Sequence, residues 1–307
     1  MRIVSLFSGA GGLDLGLCKA GHEIIWAIDI DKDAVQTYRE NISDNILLGD
    51  VTAIDFNSLP DCDVIVGGFP CQGFSIANRK RNISDERNLL YKSFYNAIKI
   101  KKPRFFIAEN VKGILSLGQG IVVSQIIADF KDAGYNVNLS LINMADYGIP
   151  QTRQRVIFLG ERIDLTNTHF AWPDKTHSKD GKSLPKWVSM KEAISHFPEP
   201  AEDCCYPNHV CSSYKISVKN FTGHRRSDPD KPSPTILARG NGGGGVVAIP
   251  HYNGVRRLTI RESAAIQTFP DDFRFFGTMS SCYRQIGNAV PVHFAYLMGK
   301  QLSLLEI

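Results

Sequence analysis

Roughly the first 160 residues alternate short, β-rich apolar runs with longer stretches whose periodicity fits a helix. The strand candidates are RIVSLF, EIIWAI, NILLG, DVIVGG, RFFIAE, VNLSLIN and RVIFLG. Helical patterns occur between several of them, at residues 31–41, 86–101 and 121–133. This alternation predicts an α/β fold with a mostly parallel sheet that helices cover on both faces.

The middle of the chain, from about residue 172 to 255, is rich in Pro, Gly, Ser, His and Lys and shows no long periodic helix. It contains GNGGGG, which must be a turn or loop. Further on, TIRESAAIQTF and PVHFAYLMGKQL both fit amphipathic helices. We therefore expect a large domain at residues 1–175, completed by 281–307, and a smaller irregular domain with its hinge at 176–280.

Positive charge is concentrated in the irregular part of the chain. The segment 175–261 holds 14 Lys and Arg against 7 Asp and Glu, whereas the rest of the chain has a net charge of −3. A chance fluctuation or a solvated surface would explain this distribution. The alternative is a module that binds a polyanion, for which basic charge on one part of the fold is expected.

The composition is ordinary for a soluble globular protein, with 43% hydrophobic and 21% charged residues. No apolar run is long enough to span a membrane, and the N-terminus does not resemble a signal peptide. Seven unevenly spaced cysteines without a C-x-x-C pair suggest reduced thiols, so we expect a cytoplasmic protein. The run CCYPNHVC fits no standard zinc spacing, and we predict no metal.

Three sequence positions suggest a nucleoside-containing ligand at the carboxyl ends of the first strands. SLFSGAGGLDLG joins the first strand to a helix through a glycine-rich turn, and Asp29 and Asp50 follow the second and third strands. Such a turn lets a ligand approach the backbone, and an acid at the second strand can bond ribose hydroxyls. A tight turn without a ligand and helix-capping acids are the alternatives.

Three further blocks carry reactive groups. GGFPCQGFS places Cys71 on a turn, where an exposed thiolate near positive charge would be nucleophilic, although an inert loop cysteine fits as well. Glu109 ends the strand RFFI as a candidate acid or base, or else as a cap or an arginine's partner. QTRQRV puts Arg153 and Arg155 on one face of an extended segment, where they could hold phosphate or a base oxygen, or only form salt bridges.

The ordered blocks FSGAGG, GGFPCQ, ENV, QTRQR, RRLTIRE with QTFP, and QIGNAVP resemble those of the DNA (cytosine-5) methyltransferases. The likeness covers nearly the whole chain and is strongest to bacterial restriction–modification enzymes, in particular the HaeIII-type methyltransferase. It implies a Rossmann-like, S-adenosylmethionine-dependent fold with a mixed sheet. In this family the target recognition domain lies between QTRQR and RRLTIRE, the stretch that is basic and irregular here.

The resemblance also implies how the reaction proceeds. Cys71 matches the nucleophile that attacks C6 of cytosine, and Glu109 matches the carboxyl that bonds N3. Asn110 matches the neighbour that orients it, Arg155 the residue that holds O2, and Arg153 a support of the same loop. Because the reacting atoms are stacked inside a duplex, the base must be flipped out.

For the cofactor, S-adenosylmethionine, the resemblance implies a larger set of residues. They are Phe7, Ser8, Gly9, Gly11, Gly12, Leu13, Asp29, Ile30, Asp50, Val51, Pro70, Leu90, Asn288 and Ala289. Asp29 replaces a commoner Glu, and Ile30 replaces a frequent aromatic residue. QIGNAVP is expected to pack beside the first loop, so that the last helix rejoins the large domain.

Double-stranded DNA is the expected partner, bound by a monomer without an obligatory protein partner or a membrane. Gln72 and Ser75 lie on the loop that in the family closes over the flipped base. Thr235 matches a phosphate-contacting residue, and the remaining candidates are Arg225, Arg226 and Arg239, of which Arg239 could read a base edge.

Three other functions stay open from the sequence. A related enzyme acting on tRNA would share the blocks, although the length and charge of the recognition segment argue against it. A nicotinamide oxidoreductase would explain only the glycine-rich turn. A catalytically silent DNA-binding relative would not need Cys71 and Glu109.

Overall fold

The computed structural model describes residues 1–70, 89–165, 168–201, 204–212, 227–238 and 249–305. Within these ranges the strands are β1 Arg2–Leu6, β2 Glu23–Asp29, β3 Ile46–Leu48, β4 Val64–Gly67, β5 Phe105–Val111, β6 Tyr135–Asn143, β7 Gln151–Thr152, β8 Gln154–Arg162 and β9 Ser233–Pro234. The helices are α1 Gly12–Lys19, α2 Lys32–Asn41, α3 Leu89–Lys101, α4 Ile121–Asp132, α5 Met190–Ile194, α6 Ile260–Ile266, α7 Met279–Asn288 and α8 Val292–Ser303.

Seven of the strands form one sheet in the order β3-β2-β1-β4-β5-β8-β6. The pairs among β1 to β5 are parallel, while β8 runs antiparallel to both β5 and β6. The sheet is therefore mixed. The carboxyl ends of β1 to β5 share one edge, and the reversed strand β8 begins at that same edge.

Alternate residues of the strands pack into different cores, which confirms that both faces of the sheet are covered. Val64 and Val66 of β4 belong to one apolar cluster, together with Phe294 of α8. Ile65, between them in sequence, belongs to a second cluster with Phe94 of α3. The buried strands consequently read as continuous apolar runs, as is typical of a sheet between two helical layers.

The C-terminal helix packs against the first helix. A Cβ atom added at Gly16 of α1 would clash with Ala295 and with the carbonyl of Val292 in α8, so a glycine permits this close approach. The last helix thus rejoins the sheet, as predicted. A third apolar cluster joins described parts of the middle segment, such as Met190 and Ile236, to α6 and α7.

Helix α7 was not predicted from the sequence, and neither were the short helix α5 and the strand β9. The buried face of α7 consists of Ser281, Cys282, Gln285, Ile286 and Gly287. Cys282 and Ile286 belong to the third apolar cluster, while the small and polar residues between them interrupt the apolar stripe that identifies most helices. Thr278 caps its N-terminus by accepting a hydrogen bond from the N–H of Ser281. In the described part of the chain, each helix is too short or too polar to cross a membrane.

Candidate active site

The ends of four neighbouring strands meet at the carboxyl edge of the sheet. Leu6 of β1 aligns with Ile28 of β2 and with Gly67 of β4, and Gly67 aligns with Ala108 of β5. Ligand sites in open α/β sheets lie outside this edge. The edge carries the glycine-rich loop at 7–12, Asp29, the turn at 67–70, and Glu109.

Glu109 and Arg155 form a nearly buried ion pair at this edge. Arg155 is the register partner of Val111, and Glu109 lies two residues before Val111, so the two charged side chains emerge on the same face of the sheet. Arg155 Nε lies 2.7 Å from Glu109 Oε1. The residues are 9% and 8% exposed, which leaves only a small opening onto the pair.

The turn that leads to Cys71 contacts this pair directly. A Cβ atom added at Gly68 would lie 3.1 Å from Glu109 Oε2, so the backbone at Gly68 passes close to the carboxylate. The amide of Asn110 donates a 2.9 Å hydrogen bond to the carbonyl of Phe69 and holds the same turn. Cys71, Gln72 and Ser75 lie outside the described residues. Pro70, the last described residue of the turn, is exposed.

Arg155 remains a cation in this setting. Burial lowers its pKa, and the neighbouring Glu109 opposes the shift. Its Nη1 donates a 2.8 Å hydrogen bond to the carbonyl of Gln154. A carboxylate beside a fixed guanidinium can hydrogen-bond a planar ligand that presents both donors and acceptors.

Arg153 is placed differently from Arg155, although the sequence suggested that they share a face. It lies between β7 and β8, is 1% exposed, and directs its guanidinium to backbone carbonyls of Ile236, Gly287 and Ala289. Burial, reinforced by the nearby Arg155, lowers the pKa of Arg153 to about 9. The structure therefore gives Arg153 contacts within the protein rather than a place on the rim.

Asp29 is fixed in position at the end of β2. Its Oδ2 accepts a hydrogen bond of 2.7 Å from the N–H of Gly9, and its Oδ1 accepts one of 2.8 Å from the N–H of Asp31. Burial raises the pKa of Asp29. Ile30 beside it is 70% exposed, and no heavy atom lies within 4 Å of a Cβ added at Gly9. The edge thus has open space, a held carboxylate and an exposed apolar surface next to one another.

The other two glycines of the first loop serve packing. A Cβ at Gly11, where φ is +84°, would clash with Ile42 and Tyr38, and one at Gly12 would clash with the carbonyl of Val290. QIGNAVP therefore packs beside the first loop, as predicted. Of the glycines predicted to bind the cofactor in this loop, Gly9 is the one that borders open space.

Asp50 caps a short 3-10 turn, as one of the alternatives from the sequence proposed. Its Oδ1 accepts hydrogen bonds of 2.8 Å from both the N–H and the hydroxyl of Thr52. The remaining predicted cofactor residues are distributed as follows: Val51 and Ala289 are buried; Phe7, Ser8, Leu13 and Leu90 are half-buried; Asn288 is exposed.

Among the predicted DNA contacts, Thr235 is described and half-buried. Its hydroxyl donates a 3.0 Å hydrogen bond to the carbonyl of Thr152. Arg225, Arg226 and Arg239 lie outside the described residues.

Sequence reasoning missed Asp14, which lies in α1 directly behind the first loop. Asp14 is 0% exposed and accepts hydrogen bonds from the hydroxyls of Ser5, at 2.8 Å, and Tyr38, at 2.9 Å. Burial raises its pKa to about 6. The sequence did hold a signal for Asp14. It is an acid in the mostly apolar helix α1, on the face that is turned to the core.

Known proteins are similar to this chain over nearly its whole length. The family model for C-5 cytosine-specific DNA methylases matches residues 1–304. The type II methyltransferase M.NgoFVII of Neisseria gonorrhoeae is 41% identical over 314 residues, covering 94% of this chain and 83% of that protein. M.FnuDI of Fusobacterium nucleatum is 38% identical over 324 residues, covering 99% and 94%. The S. pombe Dnmt2 methyltransferase has the same fold, with a TM-score of 0.70 over 100% of both chains at 21% identity.

Proposed function

The chain belongs to the C-5 cytosine-specific DNA methylase family, and from that premise we propose that it methylates C5 of a cytosine flipped out of duplex DNA through a covalent bond to Cys71. Its relatives are type II methyltransferases, so we propose that it protects a short site from a cognate endonuclease. The observation that carries the mechanism is the contact of the buried Glu109–Arg155 pair with the turn that leads to Cys71.

C5 of cytosine is a weak nucleophile until C6 has accepted an electron pair. The Cys71 thiolate adds to C6, which forms an S–C6 bond and moves the electron pair of the C5–C6 double bond onto C5. S-adenosylmethionine, when bound, supplies an electrophilic methyl group for C5. Loss of the C5 proton to solvent then restores the double bond, breaks the S–C6 bond and frees Cys71.

Glu109 and Arg155 prepare the base for this addition. We assign Glu109 to N3, where a hydrogen bond or a proton makes C6 more electrophilic, and Arg155 to O2. Their shared face and 2.7 Å separation suit adjacent polar atoms of a planar ring edge. Asn110 contributes by holding the turn through the carbonyl of Phe69.

Three of the other cysteines can be set against Cys71. Burial raises the pKa of Cys18 and of Cys282 to about 11, and that of Cys62 to about 12, so these thiols are poor nucleophiles. Cys71 directly follows Pro70, the exposed last residue of the turn whose Gly68 lies beside Glu109. We propose that the Arg155 cation, which is paired with Glu109, favours its thiolate.

The edge at Asp29 fits the cofactor. Each Asp29 oxygen accepts one backbone hydrogen bond and keeps acceptor capacity for a ribose hydroxyl. Ile30 offers an apolar surface to the adenine, and the space beside Gly9 admits a ligand. We propose that the rest of the predicted set also lines the cofactor site, with Gly11 and Gly12 acting through the packing that shapes the first loop: Phe7, Ser8, Gly11, Gly12, Leu13, Asp50, Val51, Pro70, Leu90, Asn288 and Ala289.

We assign DNA binding to the basic segment and to the loop after Cys71. Within the proposed recognition domain, residues 176–280, Thr235 would contact a phosphate, and Arg225, Arg226 and Arg239 would contact phosphates or base edges. Gln72 and Ser75 would close over the flipped base.

The proposed function is tested by incubating the protein with methyl-labelled S-adenosylmethionine and either duplex DNA or tRNA. We expect label in 5-methylcytosine of the duplex, at one short sequence found by bisulfite sequencing. Label in tRNA alone would overturn the proposal, as would label on another atom of the base.

A further inference from the structure

A second group of buried polar side chains lies behind the catalytic pair. Gln151, Arg153 and Gln267 are at most 1% exposed, and Gln267 is more than 100 residues away from the other two in sequence. We name these three residues the junction cluster. Hydrogen bonds of the junction cluster connect the start of β8 to the segment after β9, to the end of α7 and to Gln267 after α6. Such a buried polar group is costly unless its hydrogen bonds are made.

The guanidinium of Arg153 joins two distant segments through backbone carbonyls. Nη1 donates to the carbonyl of Ile236 at 2.9 Å, and Nη2 donates to those of Gly287 at 2.9 Å and Ala289 at 3.1 Å. A planar fork of five N–H donors can reach three acceptors in this way, whereas a lysine ammonium on a flexible stem cannot reproduce the geometry.

Gln151 completes the attachment of Ile236. Its Oε1 accepts a 2.8 Å hydrogen bond from the N–H of Ile236, so Gln151 and Arg153 hold both backbone polar groups of one residue. The Nε2 of Gln151 donates to Gln267 Oε1 at 2.8 Å. Gln267 in turn donates to the carbonyls of Ile286 and Ala289.

The backbone fixes the same alignment. β7 and β9 pair in parallel, with Gln151 opposite Ser233, and the N–H of Ser233 bonds the carbonyl of Pro150 at 2.9 Å. A Cβ at Gly287 would clash with Leu237, so the end of α7 presses on the same segment. Residues 233–237 are thereby set in one position relative to Arg155, which follows Arg153 by two residues.

We propose that Arg153 is a positioning residue and that the junction cluster determines target specificity by fixing the recognition segment relative to the Glu109–Arg155 pair. The proposal rests on the proposed function. Ile236 directly follows Thr235 and precedes Arg239 and the glycine-rich loop by a few residues. When residues 233–237 are held in this position, the recognition segment places a flipped cytosine at Glu109 only if it also makes its contacts with the correct DNA sequence. A loosened segment would accept other sequences.

The test compares Arg153→Lys and Gln151→Met with Arg162→Lys, a control at the opposite end of β8, where Arg162 is half-buried and pairs with Asp164. Each variant methylates duplexes that carry the wild-type site or a site with one base pair changed. We expect Arg153→Lys and Gln151→Met to reduce discrimination between these duplexes about tenfold or more. In both variants, the fold increase in the KM for DNA should be larger than the fold decrease in kcat. The double variant should resemble the worse single variant, because both changes release Ile236.

Unchanged discrimination in both variants would overturn the proposal, and so would a fall in kcat alone at saturating DNA, which would mark Arg153 as a catalytic residue. If Arg153→Lys does not fold, as judged by its thermal transition, the result for Gln151→Met decides. Failure of the proposed function is distinguishable, since the wild-type protein and Arg162→Lys would then leave duplex DNA unmethylated.

Discussion

The Glu109 carboxylate pairs with the Arg155 guanidinium through Oε1, and its Oε2 lies close to Gly68. Glu109→Gln keeps the shape and removes the acid. We expect kcat to fall about 100-fold or more, since general acid–base groups typically contribute that much. Initial rates at saturating DNA and cofactor measure this loss.

The exposed Glu23, at the opposite end of the sheet, supplies the control. Glu23→Gln should retain wild-type kcat, because Glu23 begins β2 at the edge away from the site. A Glu109→Gln variant with a rate within a few-fold of wild type would remove Glu109 from the mechanism.

A second prediction concerns the substitution of Gly68 by alanine. In Gly68→Ala, the new methyl group would lie 3.1 Å from Glu109 Oε2 and force the carboxylate or the turn to shift by a few tenths of an ångström. We expect a loss of kcat of about tenfold or more, because misplaced catalytic groups are costly. In Gly113→Ala the nearest atom would be 4.0 Å away, so this control should be unaffected. Equal rates for the two variants would contradict the tight contact.

Asp14 links α1 to β1 and α2 by accepting hydrogen bonds from the hydroxyls of Ser5 and Tyr38. The protonation of Asp14 therefore affects how stably these three elements pack. Its pKa is raised to about 6 from an ordinary 3.8. Between these values the folded state binds more protons than the unfolded state. The Asp14 contribution to the free energy of unfolding is therefore most favourable below about pH 4, falls as pH rises to about 6, and is constant above.

Asp14→Asn removes this titration. The free energy of unfolding of the variant relative to wild type should rise by up to about 3 kcal/mol between pH 4 and pH 6.5, given ~1.4 kcal/mol per pH unit. Denaturant unfolding at several pH values measures the difference. A difference that does not change with pH would show that Asp14 keeps an ordinary pKa in the fold.

The elements that could be predicted are those whose side chains follow a simple period. The apolar runs predicted the strands of the main sheet, and α1, α2, α3, α4, α6 and α8 follow from periodicity or from the glycine turn. Helix α7 was not predicted because Ser281, Gln285 and Gly287 interrupt the apolar part of its buried face. The contacts of Arg153 were also invisible, since its acceptors are backbone carbonyls more than 80 residues away in sequence.

Across the whole molecule, one sheet edge brings together residues that are spread over most of the chain. The strand ends place Asp29, the turn at Gly68, and Glu109 side by side, and this placement follows from sequence once the strands are parallel. The packing of QIGNAVP against Gly12 was expected from family resemblance alone. The attachment of residues 233–237 behind Arg155 emerged only from the fold.

The covalent role of Cys71 is tested most directly with duplex DNA that carries 5-fluorocytosine at the methylated position. Fluorine at C5 cannot leave as a proton, so the S–C6 bond should persist after methyl transfer. With S-adenosylmethionine present, we predict a denaturation-resistant protein–DNA adduct that mass spectrometry locates at Cys71 and that is lost in Cys71→Ala. An equal adduct in Cys71→Ala, or one at another residue, would contradict the account.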